Sequence, residues 1–124
     1  MSESPIIHMV DDDPSLRRSV RNLLRSAGYR VETFEAAEAF LACARESDAS
    51  CLILDLRMPG MSGIELLTAM AIAHVQIPAV VLTAHGESAL RDQALAAGAR
   101  AFLTKPFQAS ELLDAIALAV KSRS

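Results

Sequence analysis

The chain has 124 residues, of which 52% are hydrophobic and 22% charged, and it carries a formal net charge of −3. That is the size and composition of one folded domain, and it excludes a disordered chain. The mildly acidic balance gives no general attraction to nucleic acid or anionic lipid, and no apolar run approaches the roughly 20 residues needed to span a bilayer.

Ile6–Val10 is a short apolar run that stops at Asp11, Asp12 and Asp13, the pattern of a buried strand. Pro14 suits the first turn of a helix, with Asp13 as its N-cap. Leu16, Val20, Leu23, Leu24 and Ala27 then form one apolar stripe, with Gly28 as the C-cap. Arg30–Phe34 predicts a second strand, and Ala36–Ala44 a second helix with Ala37, Phe40, Leu41 and Ala44 turned inward. Cys51–Leu54 predicts the third strand, ending at Asp55, and the loop from Met58 to Gly63 leads into a third helix over roughly Ile64–Ile72. Pro78 opens a fourth strand, Ala79–Leu82, which ends at Thr83. Gly86 to about Ala97 predicts a fourth helix, Ala-rich and weakly apolar (Ala89, Leu90, Ala94, Leu95), stopped by Gly98. Ala101–Leu103 predicts a fifth strand ending at Thr104-Lys105-Pro106, and the fifth helix turns Leu112, Leu113, Ile116, Ala117 and Val120 to one face. Residues 1–124 read as a single domain, and Lys121–Ser124 as the start of a linker or a free end.

Five strand–helix units in a row imply a parallel sheet with helices on both sides, and in such sheets the ligand site lies beyond the C-terminal strand ends. Those ends deliver Asp11, Asp12 and Asp13 from the first strand, Asp55 from the third, Thr83 from the fourth and Lys105 from the fifth. Carboxylates crowded at one rim repel one another unless a cation sits among them. Mg²⁺ suits such oxygen ligands and keeps room for a phosphoryl oxygen. An ionised Asp55 is then a competent nucleophile toward phosphorus, with the cation, Lys105 and the Thr83 hydroxyl neutralising the transferred group.

At this point Val10-Asp11-Asp12, the run Leu52–Gly63 around Asp55, Leu82-Thr83-Ala84 and Lys105-Pro106-Phe107 together resemble a two-component response-regulator receiver domain, over Ile6 to Val120. Thr83-Ala84-His85-Gly86 and Glu38-Ala39-Phe40-Leu41 resemble its FixJ-like class. The resemblance implies a flavodoxin-like, doubly wound five-stranded parallel sheet in the order 2-1-3-4-5 with five helices. It implies a phosphoacceptor domain that takes a phosphoryl group from a sensor histidine kinase onto Asp55 and switches shape to control an output such as transcription. Its chemistry would be self-directed, its own phosphorylation and dephosphorylation. Carried over residue by residue, Mg²⁺ (or Mn²⁺) is held by Asp12, Asp55 and the backbone carbonyl of Arg57, with Asp11 acting through water. Thr83, the backbone N–H of Ala84 and Lys105 hold the phosphoryl group, and Lys105-Pro106 is a cis peptide. The resemblance also implies that Phe102 moves inward when Thr83 is drawn toward the phosphoryl group, with plain core packing as the other reading; having no hydroxyl, Phe102 would report the state by packing alone. The class implies a homodimer of the phosphorylated form through the fourth helix and fifth strand, with no nucleic acid bound by the domain itself and no membrane.

Other residues take plainer roles. Arg17, Arg18, Arg21 and Arg25 form a basic stripe, read equally as a solvated face or as the kinase-docking face the family places on the first helix. His85 is expected to line the rim, and His8 and His74 to be structural or surface residues. Cys43 and Cys51, without a CxxC, are expected to be reduced, packed thiols rather than zinc ligands. Met1–Pro5 is polar and carries Glu3, so no secretory leader is expected, and the cytoplasm is the expected location. The main rival is a Mg²⁺-dependent phosphohydrolase with an aspartyl-phosphate intermediate. Such enzymes commonly carry a second acid two residues after the nucleophile, where this chain has Arg57. A nucleotide-binding module of the same topology would need a glycine-rich loop where the aspartates stand. An inactive receiver used only for dimerisation would not need the full Asp12, Asp55, Thr83 and Lys105 set.

Overall fold

The strands β1 (Ile6–Val10), β2 (Arg30–Phe34), β3 (Cys51–Asp55), β4 (Ala79–Ala84) and β5 (Ala101–Lys105) form one sheet in the order β2-β1-β3-β4-β5. Every neighbouring pair is parallel. The computed structural model describes residues 4–44, 48–84 and 87–123. The helices are α1 (Pro14–Ser26), α2 (Ala37–Leu41), α3 (Gly63–Ile72), α4 (Ser88–Ala96) and α5 (Ala109–Arg123).

Alternation along the central strands divides the core in two. Val10, Leu52, Leu54 and Val81 point to one side, where Phe40 of α2, Leu66 and Met70 of α3 and Ala94 of α4 cover them. Ile7, Met9, Ile53, Val80 and Leu82 point to the other, beneath Val20 and Leu24 of α1 and Leu112 and Ile116 of α5. All five residues of β3 are buried, which is why it reads as an unbroken apolar run up to Asp55. Each fully buried Leu or Ile contributes about 2 kcal/mol of transfer free energy, so the strand that carries Asp55 is anchored from both faces.

Several boundaries differ from the sequence pattern. The α-helical part of α2 ends at Leu41, although Ala44 beyond it is still buried in the core. Strands β4 and β5 run on to Ala84 and Lys105, so Thr83 and Lys105 stand inside the parallel ladder, paired as Thr83 with Thr104 and Ala84 with Lys105. Helix α4 starts at Ser88. On α5, Ala117 is exposed and Ala119 is buried instead, because alanine is too small for a helical stripe to distinguish the two. The C-cap of α1 is the exposed Ala27; Gly28 follows it with φ +95°, the left-handed turn that glycine makes without steric cost. The residues read as a linker start are helical as far as Arg123.

Candidate functional site

The rim is built by the ends of β1, β3 and β5. Asp11 follows β1 directly, and its N–H donates to the Phe34 carbonyl at 3.1 Å, which extends the ladder by one residue. Arg17 of α1 reaches back and donates to the Asp11 carbonyl at 2.6 Å. One member of the basic stripe therefore braces the site. Asp13 caps α1, accepting from the Ser15 and Leu16 N–H groups at 2.9 and 3.3 Å. It is thereby committed to the helix.

Asp11 is fully buried and Asp55 nearly so, while Asp12 is exposed. One oxygen of each buried acid is held by backbone two residues on. Asp11 Oδ1 accepts from the Asp13 N–H at 2.9 Å, and Asp55 Oδ1 from the Arg57 N–H at 3.2 Å. Their other oxygens converge on Lys105, whose Nζ lies 3.3 Å from Asp11 Oδ2 and 3.3 Å from Asp55 Oδ2. Asp11, Asp12 and Asp55 each bring a carboxylate oxygen within 4.8 Å of the others. An all-oxygen, acidic donor set of this kind fits a hard divalent cation such as Mg²⁺.

Burial, and then the charge of Asp11, push the Asp55 carboxyl above its ordinary range, against the opposing pull of Lys105. Burial alone would lower the Lys105 ammonium, but Asp11 and Asp55 outweigh it and the group is raised. The cluster thus carries more negative charge than one lysine neutralises.

Thr83 is buried at the end of β4, with its hydroxyl donating to the Leu103 carbonyl of β5 at 3.4 Å. The Ala84 N–H donates to Glu87 Oε1 at 3.3 Å, and the other oxygen of Glu87 pairs with Arg57 Nε. Glu87 was not singled out from the sequence: an ion pair across 30 positions leaves no periodic trace. Phe102 is half-buried against the α2–α3–α4 side of the core, with the Arg91 guanidinium 4.7 Å from its ring centroid. The Lys105-Pro106 peptide is cis. His85 and Gly86 lie outside the described residues.

A capping box starts α3: the Ser62 hydroxyl accepts from the Glu65 N–H, and the Glu65 carboxylate accepts from the Ser62 N–H. The Gly63 N–H donates to the Leu56 carbonyl at 3.0 Å, so α3 begins directly against the backbone that carries Asp55. His8 is buried on β1, paired with Glu32 at 3.2 Å and edge-on to Phe34 and Phe40, a structural role. His74 is exposed, with φ 60°. Cys43 and Cys51 are both free thiols, and Cys51 is buried. Among the described residues no helix is long and apolar enough to cross a membrane.

Residues 7–117 match the response regulator receiver domain family. The chain belongs to that family. Among curated relatives, the receiver is 41% identical over 120 residues to nodulation protein W of Bradyrhizobium diazoefficiens, covering 97% of this chain and 53% of that one. It is 40% identical over 110 residues to the transcriptional regulatory protein FixJ of Rhizobium meliloti, covering 89% and 54%. The crystal structure of FixJ-N superposes with a TM-score of 0.91 at 38% identity, covering 97% of this chain and 96% of that one. Full-length FixJ from B. japonicum gives 0.93 at 36% identity, with 99% of this chain covered and 61% of that one. The receiver therefore spans about half the length of the curated relatives it matches. Its function as a receiver of two-component signalling, and the flavodoxin-like sheet order, agree with the reading from sequence. The phosphohydrolase alternative is not favoured. The position two residues after Asp55 offers a guanidinium already paired with Glu87, not a second acid.

Proposed function

We propose that Asp55 is the phosphoacceptor of this receiver and that Asp11, Asp12 and Asp55, with the Arg57 carbonyl, hold the cation. The observation that carries the reading is the convergence of three carboxylates and Lys105 from three separate strand ends. Mg²⁺, or Mn²⁺ in its place, would neutralise the phosphoryl oxygens when bound, and Asp12, Asp55 and the Arg57 carbonyl would hold it, with Asp11 acting through water. A carboxylate oxygen of Asp55 attacks phosphorus, the new O–P bond forms, and the donor leaves with the electron pair of its own P–O or P–N bond. Lys105 already spans Asp11 and Asp55, so a small movement of Nζ follows the negative charge onto the phosphoryl oxygens. The Thr83 hydroxyl turns from the Leu103 carbonyl toward the same group, and the Ala84 N–H donates to it.

A sensor histidine kinase is the phosphoryl donor, docking beside the basic residues of α1, and the cytoplasm is where the two meet. Transcription is the proposed output of the switch, the role that the printed name of the transcriptional regulatory protein FixJ gives to that relative. Movement of Thr83 lets Phe102 turn inward, and the α4–β5 face then pairs as a symmetric homodimer. Incubation with acetyl phosphate and Mg²⁺ should add one phosphoryl group by mass, and chelation of the metal should prevent it. Sedimentation of the beryllofluoride-bound receiver should show a dimer that Thr83→Ala weakens. Labelling that is indifferent to metal would overturn the site, and a strictly monomeric product would overturn the dimer.

A further inference from the structure

Glu87 stands in an unexpected place. It precedes α4 and its backbone N–H returns to the Ala84 carbonyl at 3.3 Å, but its side chain gives α4 no cap. Its carboxylate spends one oxygen on the Ala84 N–H at 3.3 Å and the other on Arg57, two residues beyond Asp55. The Glu87 side chain is only 15% exposed, whereas Arg57 is 74% exposed. Arg57 is thus a solvated arm reaching over to a carboxylate that the protein itself holds in place.

We propose that Glu87 is an internal competitor for the incoming phosphoryl group. In the resting receiver it occupies the Ala84 N–H with its own anionic oxygen, and Arg57 fastens it there. The inference rests on the reading above, in which that N–H belongs to the phosphoryl group after transfer. One N–H cannot serve both anions well, and a doubly charged phosphoryl group repels a carboxylate sharing its donor. Phosphorylation therefore expels Glu87. Because Glu87 leads directly into α4, its departure moves the start of that helix, and α4 offers little resistance, since Ala94 is the one buried residue it contributes. The contact does two things at once: it opposes adventitious occupation of the site, and it transmits occupation to α4.

Beryllofluoride with Mg²⁺, titrated against the whole chain, tests this. Glu87→Gln keeps the shape and removes the charge, and it should tighten beryllofluoride binding about threefold or more, the size expected for a partly exposed charged contact. Asp48→Asn makes the same change in net charge before β3, at the end of the strand opposite Asp55, and should leave the affinity unchanged. In the ligand-free receiver the Ala84 amide proton should move upfield and exchange faster in Glu87→Gln, a change that long-range charge alone does not produce. Unchanged or weaker binding in Glu87→Gln, or an Ala84 amide that does not respond, would overturn the proposal. Thr83→Ala separates the two levels of the argument: if it weakens binding while Glu87→Gln does nothing, the site stands and only the competitor falls. If Thr83→Ala is also without effect, the assignment of the phosphoryl site itself fails.

Discussion

Gly63 offers a quantitative test of how tightly α3 is set against the strand that carries Asp55. A Cβ at this position would lie 2.6 Å from the Asp55 carbonyl oxygen, 2.7 Å from Leu56 Cα and 2.9 Å from Leu56 Cδ2. Non-bonded carbon contacts are comfortable at about 3.5–4.0 Å, and two of these three neighbours are backbone. The start of α3 and the end of β3 must therefore part by several tenths of an ångström, stretching the Gly63 N–H bond to the Leu56 carbonyl. Overpacking of this kind costs about 1–3 kcal/mol. Against it, Gly→Ala gains about 0.4–1 kcal/mol from the unfolded chain. The balance centres on a loss of about 1.3 kcal/mol, with about 2.6 kcal/mol as its upper bound, and the central value lowers Tm by roughly 4–6 °C for a domain of this size. Displacement of Asp55, the proposed nucleophile, matters more, because a misplacement of about 1 Å can cost ~100-fold in rate; Gly63→Ala should slow phosphorylation by about 10-fold or more. Gly28→Ala is the control. Nothing lies within 4 Å of its Cβ, but φ is +95°, so it should lose about 1 kcal/mol and label at the wild-type rate. Thermal unfolding and time courses with acetyl phosphate measure both. A Gly63→Ala variant as stable and as fast as wild type would refute the close apposition.

Asp12→Ala should weaken Mg²⁺ binding by about 10-fold or more, read by titration calorimetry, while raising the stability of the metal-free protein because rim repulsion is relieved. The Asp55 carboxyl is raised by burial and by Asp11, so the folded state holds its proton to higher pH than the unfolded state does; stability from this group falls as pH rises above the ordinary value of 3.8. Asp55→Asn should accordingly unfold at a higher temperature than wild type at neutral pH without metal. Burial lowers the His8 imidazole despite Glu32, so as pH falls below the ordinary 6.5 the unfolded state takes the proton first and stability drops; denaturant midpoints of His8→Leu should lack that acid-side loss. Burial pushes the Cys51 thiol up to about 12, so alkylation at pH 8 should label Cys43 alone until denaturant is added.

Much of this was legible before any coordinates. The unbroken apolar run of β3, the N-cap at Asp13 and the polar or charged residues at four strand ends follow from local rules, and a parallel sheet gathers strand ends at one rim. What escaped depends on side chains meeting across long gaps in the sequence. Arg17 reads as part of a basic stripe that is either solvated or a kinase-docking face, yet it braces the Asp11 carbonyl. Glu87 carries no motif or spacing that marks it, and its pairing with Arg57 and Ala84 exists only once β3 and β4 lie side by side. His8 sits where an apolar residue is expected on a central strand. Its burial is tolerated through Glu32 on the neighbouring β2 and two phenylalanine rings, partners that no spacing rule foretells.

The central claim is that Asp55, and not its neighbours, takes the phosphoryl group. An acyl phosphate is reduced by borohydride to the alcohol, so tritiated borohydride marks the acceptor as radioactive homoserine that peptide sequencing can place. After treatment with acetyl phosphate and Mg²⁺, the account predicts tritium at position 55 alone, and none in Asp55→Asn. Tritium at Asp11 or Asp12 in the wild type, or undiminished labelling of Asp55→Asn, would contradict it.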